Sequence, residues 1–255
     1  MLKNSKKMQV KIVIPSMDRH DRVKVKKILK NCIICVPETQ KSLYLQYNSD
    51  YEILSHPDSL KGLAAKRQWI YEKFKNVFMI DDDVTSCLRV YEKPATKLKN
   101  NEVEDIIQNC ANICQMSGAF LFGFNHQKND VFYPCHKPFS LSGYIPGHAI
   151  GILWNKTLNF GKLTAVEDYY ISCINAYYNR KAFIDNRFIF VQEKTYKNVG
   201  GLSNYRTNET EKTDTLELRK IFGEVIQLKN EKSGGNSKVK SQPSSKYART
   251  LNLPF

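Results

Sequence analysis

Apolar and polar residues follow two patterns along this chain, short apolar runs and longer amphipathic stretches. Short runs rich in β-branched and aromatic residues are typical of strands buried on both faces. Apolar positions three and four apart predict helices. The predicted strands are residues 10–15, 32–36, 77–80, 119–124, 149–154 and 182–191, with a weaker extended piece at 43–47. The predicted helices are residues 22–30, 59–74, 102–117, a helix that opens at Thr164, and 214–228.

Strands and helices therefore alternate through the first half of the chain. This order predicts an α/β fold with a mostly parallel central sheet and helices on both faces. The 255 residues are enough for a real hydrophobic core, and residues 1–228 are predicted to form one domain. Residues 229–255 are rich in Lys, Ser, Gly and Asn, which predicts a basic flexible tail.

The strand at 77–80 runs directly into Asp81, Asp82 and Asp83. Ligands of open α/β sheets gather at the carboxyl ends of strands. Side chains alternate along an extended chain, so Asp81 and Asp83 are expected on one side and Asp82 on the other. Paired carboxylates suit Mg or Mn shared with a diphosphate. The alternative is an acidic turn that only ends the strand.

Two further charged positions are candidates for chemistry. Arg67 falls on the apolar stripe of the helix at 59–74, where it either extends past its neighbours to solvent or reaches, with Lys66, towards phosphate. The segment from Thr164 to Glu167 has the form of a capping box, which gives Glu167 a structural role. Asp168 is then either a general base or a carboxylate favoured by the helix dipole.

The net charge of +14 favours a polyanionic partner, either nucleic acid or an acidic membrane surface, although a basic surface without a partner has the same composition. No apolar run approaches the roughly 20 residues of a membrane span. The start of the chain lacks the apolar segment of a signal peptide, so a cytoplasmic location is expected. Cys32 and Cys35 are predicted to be buried thiols on opposite faces of a strand, not a redox pair.

Four local motifs together resemble a GT-A glycosyltransferase, over roughly residues 8–228. They are Pro15-Ser16-x-x-Arg19 after the first strand, Lys66-Arg67-Gln68-Trp69-Ile70, Phe78-Met79-Ile80-Asp81-Asp82-Asp83, and Val166-Glu167-Asp168-Tyr169. The combination is similar to the TET/JBP-associated glycosyltransferases, relatives of the base J glucosyltransferase. Those enzymes add sugars to hydroxymethylated pyrimidines in DNA, 5-hydroxymethylcytosine or 5-hydroxymethyluracil, often in bacteriophage, which would place the protein in the host cytoplasm.

The resemblance implies a nucleotide-sugar-binding half at about 8–124 and an acceptor-binding half at 125–228. It implies a UDP-sugar donor and a divalent metal, Mn or Mg. Asp81 and Asp83 would bind the metal, and Asp168, beside Glu167, would be the general base of an inverting transfer. The predicted donor-binding residues are Pro15, Ser16, Arg19, Lys66, Arg67, Asp81, Asp82 and Arg206. Many relatives complete the metal site with a late His, and no His follows His148 here.

DNA is the expected acceptor. A base under modification leaves the stack and enters a pocket, where aromatic rings can stack on it. Phe139, Tyr144 and Trp154 are candidates, and core packing is the alternative for each. The predicted nucleic-acid-binding residues are Tyr144, His148, Lys238 and Lys240, with Arg249 nearby in the tail. Two other functions stay open: a GT-A glycosyltransferase with a protein or glycan acceptor, and a non-catalytic nucleic-acid-binding relative.

Overall fold

A computed structural model describes residues 8–127, 130–192, 207–228 and 249–253, and everything below concerns these residues. Most of them belong to regular elements. The helices are α1 (Lys41–Tyr47), α2 (Leu63–Phe74), α3 (Asn100–Met116), α4 (Glu167–Asn179) and α5 (Asn208–Phe222). The strands are β1 (Lys11–Pro15), β2 (Ile33–Pro37), β3 (Glu52–His56), β4 (Val77–Ile80), β5 (Val84–Arg89), β6 (Thr96–Lys97), β7 (Leu121–Asn125), β8 (Phe139–Ser140), β9 (Ala149–Ile152), β10 (Phe183–Gln192), β11 (Ile226–Leu228) and β12 (Arg249–Leu251).

The first ten of these strands form one sheet in the order β3-β2-β1-β4-β9-β7-β10-β5-β6, with β8 paired to β10. β1 is parallel to both β2 and β4, and β7 is parallel to β10. β9, β5 and β8 run against the direction shared by the others. The sheet is therefore mostly parallel, as the alternation of elements predicts, and the predicted strand at 149–154 is β9, one of its antiparallel strands.

Helices cover both faces of the sheet, which confirms the predicted fold class. Alternate residues of β1 separate the two cores, because side chains on a strand point to opposite faces in turn. Ile12 packs with Val103 of α3 in one core, whereas Val13 packs with Ile70 of α2 in the other. Cys32 and Cys35 are buried thiols in different cores, as predicted.

Two local predictions in the first half are wrong. Residues 22–30 form only a short 3-10 turn, Val25–Lys27, because the backbone amides of Lys24 and Val25 donate to the carbonyl of Asp82 at 2.7 and 3.2 Å. The piece at 43–47 is helix α1, not an extended segment. It buries Tyr44 alone among its residues, so its alternating sequence reflects no strand.

The end of the chain also differs from prediction. The last helix is Asn208–Phe222, and Ile226–Leu228 of the predicted helix forms β11 instead. Residues 249–251 pair with that strand, and the Arg249 side chain is buried, so this part is not a flexible tail. The register pairs Leu228 with Arg249. No helix in the described ranges is long and apolar enough to span a bilayer.

Candidate active site

A cavity of about 380 Å³ opens at the edge of the sheet where β1 and β4 end. These two strands are parallel neighbours, so the loops that follow them meet at the same edge. Most of the predicted donor-binding and metal-binding residues line this cavity. They are Pro15, Ser16, Arg19, Lys66 and the three aspartates Asp81, Asp82 and Asp83.

Asp82 holds the loops after β1 and β4 together. Its Oδ2 accepts a hydrogen bond from Ser16 Oγ at 2.5 Å, and its Oδ1 pairs with Arg19 Nη1 at 2.6 Å. Ser16 Oγ is also 2.7 Å from the Tyr44 hydroxyl. Because β4 ends at Ile80, the aspartates lie in a turn, and the simple alternation predicted for them does not apply. Asp82 therefore has both oxygens engaged within the protein.

Asp83 differs from Asp82 because one of its oxygens is unmatched. Its Oδ1 is buried without a hydrogen-bond partner in the described part of the chain, and its Oδ2 lies 3.6 Å from Arg19 Nη1. Burial, with the charge of Asp81 second, raises the pKa of Asp83 to about 7. A buried carboxylate oxygen of this kind favours a cation beside it. The Asp83 oxygen is a suitable ligand for Mn or Mg, which take one or two carboxylates and complete their shell with phosphate oxygens and water. No cluster of three or more His, Cys, Asp or Glu side chains suited to a metal occurs among the residues described.

Arg67 lies beneath the cavity and connects strand β4 to helix α4. Its side chain is 1% exposed, and its Nη2 pairs with Asp81 Oδ1 at 2.9 Å. Its Nη1 lies 3.3 Å from Glu167 Oε1. Gln192, at the end of β10, donates to the other oxygen of Asp81 at 3.1 Å. Arg67 thus pairs with carboxylates of the protein, whereas the resemblance implies contact with the diphosphate or the ribose of the donor.

Lys66 is a buried cation in the lining of the cavity. Its side chain is buried, and its Nζ donates to the carbonyl of Ser16 at 3.0 Å. Burial lowers the pKa of Lys66 from 10.5 to about 8. A desolvated ammonium group beside a polar cavity is suited to an anionic ligand, whose charge offsets the cost of burial.

Glu167 does not have the capping role predicted for it. Helix α4 begins at Glu167 itself, and the backbone amides of Thr164 and Ala165 donate to Asp214 Oδ2, each at 2.7 Å. Glu167 instead packs against Arg67, and burial raises its pKa to about 7. Arg67 opposes this increase in the pKa of Glu167, but its one guanidinium is shared among several carboxylates and does not cancel the effect of burial.

Asp168 lies close to Arg67 at Gly147. Asp168 Oδ2 accepts from the Gly147 amide at 3.1 Å and from the Tyr144 hydroxyl. A Cβ atom at Gly147 would lie 2.3 Å from Arg67 Nη1 and 3.1 Å from Asp168 Cβ. Absence of a side chain at Gly147 therefore lets Arg67 and Asp168 approach each other, which brings the predicted base to the carboxylate cluster.

The predicted acceptor-side residues take several positions. Tyr144 contacts Asp168, and the His148 carbonyl accepts from the Asp81 amide at 3.0 Å while its ring Nε2 lies 3.2 Å from the Phe190 carbonyl. Trp154 follows strand β9, which is antiparallel to β4, so it lies at the end of the strands opposite to the cavity, under the ammonium of Lys75. It cannot stack on a base at the cavity.

Other predicted side chains pack within the fold or cannot be placed. Phe139 is 40% exposed and stacks on Phe183 with ring centroids 5.6 Å apart, so it lies at the surface and not in the core. Arg249 is buried against α5. Arg206, Lys238 and Lys240 lie outside the described residues.

Three residues of the site have no counterpart in the sequence predictions. His56 lines the cavity at the end of β3, a strand that the apolar pattern does not reveal. Gln192 ends β10, and its place at a strand's carboxyl end is the signal that could have identified it. Gly147 carries no local signal, because its importance comes from Arg67 and Asp168, which are distant in sequence.

Comparisons with known proteins agree with the predicted resemblance. The family model of the TET-Associated Glycosyltransferases (TAGT) matches residues 10–201, most of the chain. No curated protein matches the sequence. Among solved structures, S. aureus TarS 1–349 matches with a TM-score of 0.45 and 10% identity over 83% of this chain and 66% of that chain.

The same TarS fragment in complex with UDP-GlcNAc matches with a TM-score of 0.43 and 9% identity, over 83% of this chain and 67% of that one. The chain thus spans about two thirds of the length of the TarS fragment. The match of the family model covers both the strand-end aspartates and Asp168. The chain belongs to the TET-associated glycosyltransferase family.

Proposed function

We propose that this protein transfers a sugar from a nucleotide-sugar donor of the UDP-glucose type to the hydroxymethyl group of a modified pyrimidine in DNA. The proposal includes a divalent metal and inversion at the anomeric carbon, with Asp168 as general base. The observation that carries it is the joining of the carboxylate-lined cavity to Asp168 through Arg67 and Gly147. Membership of the family supports sugar transfer as the reaction class.

The donor would occupy the cavity between β1, β2 and β4. Its volume of about 380 Å³ lies within the range typical of small-molecule sites. Lys66 supplies positive charge for a diphosphate, and Pro15 and Ser16 line the part formed by β1. Arg19 also lines the cavity and is held by Asp82, so its guanidinium has a fixed position before a ligand arrives.

Asp83 is the first candidate to hold Mn or Mg, because its Oδ1 lacks a partner among the described residues. Asp81 is the second candidate, although both its oxygens already accept hydrogen bonds from Arg67 and Gln192. The ion would neutralise charge that develops on the departing diphosphate. The protein's own contribution is to fix these carboxylates before the donor binds.

Asp168 would take the proton of the acceptor hydroxyl. The acceptor oxygen attacks the anomeric carbon, the new glycosidic bond forms, and the bond to the diphosphate breaks with its electron pair leaving on the diphosphate. Hydrogen bonds from the Tyr144 hydroxyl and the Gly147 amide hold the Asp168 carboxylate in place. Attack from the side opposite the leaving group inverts the anomeric centre.

The proposed acceptor follows from family and charge. A net charge of +14 favours binding to the phosphates of DNA and predicts affinity that falls steeply with salt. A protein or glycan acceptor would leave this charge without a role at the acceptor. Binding to DNA at low salt that is lost at high salt therefore supports DNA over those acceptors.

The test is transfer onto DNA that contains 5-hydroxymethylcytosine or 5-hydroxymethyluracil. Protein, Mn and UDP-glucose are incubated with this DNA, and mass spectrometry of the digested nucleosides should show one added hexose. Unmodified DNA and the Asp168→Asn variant serve as controls and should show none. The absence of added sugar with every common nucleotide sugar, with Mn present, would refute the proposal. DNA binding without any affinity for UDP and Mn would indicate a non-catalytic relative.

A further inference from the structure

A continuous chain of side chains leads from Asp168 to the C-terminal strand. The Tyr144 hydroxyl donates to Asp168 Oδ2. The Tyr144 ring is stacked on the ring of Tyr169, with centroids 4.4 Å apart and an angle of 29° between the planes. Tyr169 follows Asp168 directly, so helix α4 carries both the proposed base and the ring that holds its hydrogen-bond donor.

Tyr169 is in turn held by Arg249 of β12. The guanidinium carbon of Arg249 lies 5.0 Å from the centroid of the Tyr169 ring, and the Tyr169 hydroxyl donates to the Arg249 carbonyl at 3.3 Å. Arg249 is itself fixed on α5, where its Nη1 donates to Thr215 Oγ1 at 2.5 Å and its Nη2 lies 3.5 Å from Glu211 Oε1. Strand β12 is thereby connected to the proposed base by two aromatic rings.

Burial and the charges around Asp168 keep the Tyr144 hydroxyl protonated. Arg67 faces Asp168 across Gly147, and Glu167 precedes it on α4. Burial, then the charge of Asp168, raises the pKa of Tyr144 well above its usual value, so the phenol keeps its proton and donates. The Tyr144 ring also lies near two other rings, those of Tyr169 and His126.

We propose that Tyr144 is a positioning residue that orients the Asp168 carboxylate for proton abstraction, and that β12 keeps Tyr144 in place through Arg249 and Tyr169. The inference rests on the proposed role of Asp168 as general base. It makes the C-terminal strand a part of the active site, although 80 residues lie between Asp168 and Arg249 in the sequence.

The test is the pH dependence of kcat/KM for sugar transfer in the full-length Tyr144→Phe variant. Phenylalanine keeps the ring that stacks on Tyr169 and removes only the hydroxyl. A hydrogen bond to an ionised carboxylate favours the charged form, so its loss should move the acidic limb of the profile upward by about one pH unit. On the acidic side of the profile, kcat/KM of Tyr144→Phe should be about tenfold lower than that of the wild type at the same pH. On the alkaline plateau the two values should agree within about threefold.

Tyr177→Phe is the matched control. It makes the same change on helix α4, which carries Asp168, at a side chain that is 66% exposed and contacts the ring of Tyr178. Its pH profile should overlay that of the wild type. Affinity for UDP with Mn, measured by calorimetry, should be unchanged in both variants, because Tyr144 is not among the residues that line the donor cavity.

Arg249→Met tests the part of the inference that concerns β12. Methionine retains apolar bulk and removes the guanidinium, so the acidic limb should move in the same direction by a smaller amount. A loss of activity that is equal at every pH and accompanies a lower melting temperature would show a merely structural role and overturn this part. An unchanged profile would overturn it as well.

Asp168→Asn distinguishes failure of the inference about Tyr144 from failure of the proposed role of Asp168. If the wild type transfers sugar, Asp168→Asn is inactive and Tyr144→Phe gives the wild-type profile, the inference about Tyr144 fails and the proposed function stands. If Asp168→Asn remains active, the proposed base is wrong and the inference falls with it. An upward shift in Tyr144→Phe alone, with Tyr177→Phe unchanged, supports the inference.

Discussion

Replacement of Lys66 by Met should stabilise the unliganded protein and weaken its binding of nucleotide diphosphate. Lys66 is 6% exposed, and its Nζ donates to the carbonyl of Ser16 at 3.0 Å. Burial lowers the pKa of its ammonium group from 10.5 to about 8. The side chain is therefore kept at a cost to folding, which is expected of a group whose partner is a ligand.

The size of this cost follows from the pKa values in the two states. A decrease from 10.5 to about 8 corresponds to about 3 kcal/mol of destabilisation at neutral pH. Loss of the hydrogen bond to Ser16 in the variant offsets roughly 1 kcal/mol of the gain. Lys66→Met should therefore raise the free energy of unfolding at pH 7 by about 2 kcal/mol.

The same linkage gives the sign of the pH dependence. Between pH 8 and 10.5 the unfolded state binds the Lys66 proton and the folded state does not, so wild-type stability gains a favourable contribution as pH rises through this window. The penalty is complete below pH 8. Lys66→Met lacks the group and should lack this contribution.

Urea denaturation at pH 7 and across pH 8 to 10 measures both effects, and calorimetry with UDP measures binding. Lys61→Met is the matched control, because Lys61 also lines the cavity but is exposed. Its free energy of unfolding should change by less than about 0.5 kcal/mol. A Lys66→Met variant that is less stable than the wild type at pH 7, or that binds UDP as tightly, would refute the reasoning.

Three further variants test the ion network behind the cavity. Gly147→Ala should cost about 1–3 kcal/mol of stability in urea denaturation and reduce the rate of transfer, because its Cβ would lie 2.3 Å from Arg67 Nη1. Wild-type stability should fall as pH rises from 4.5 to about 7, because the folded state retains a proton on Glu167 that the unfolded state has lost. Glu167→Gln should remove this fall, which chemical denaturation at a series of pH values measures. Arg67→Met removes the cation that pairs with Asp81 and Glu167 and should lower stability at pH 7 by about 3–5 kcal/mol, with partial recovery at lower pH in thermal melts.

The features predicted correctly from sequence are those that depend on local patterns. The apolar run before Asp81 gives β4, and the spacing of apolar residues gives α2. The carboxyl-end rule then places the cavity, because it depends only on where a buried strand ends. Each of these inferences uses residues that are neighbours in the chain.

The features missed from sequence depend on contacts between distant segments. The amides of Thr164 and Ala165 are satisfied by Asp214, a residue 49 or 50 positions away, and no capping pattern reports this. In the same way, the segment at 22–30 gives its amides to Asp82 instead of extending a helix. Tertiary hydrogen bonds outweigh local propensity at both places.

Arg67 shows the same limit at a single side chain. A charged residue on an apolar helical face predicts either solvent or a ligand as its partner, and the structure provides two carboxylates of the protein instead. The helix pattern identifies the unusual position. The partners Asp81 and Glu167 belong to different elements, so only the assembled fold reveals them.

The most direct test of the account is a thermal-shift measurement with UDP and Mn, separately and together. If the aspartates and Lys66 form a site for a metal-bound diphosphate, the two ligands together should raise the melting temperature more than either does alone, since a ligand that binds only the folded state stabilises it. Asp83→Asn should lose the part of the increase that depends on Mn. An unchanged wild-type melting temperature in all three conditions would contradict the central claim.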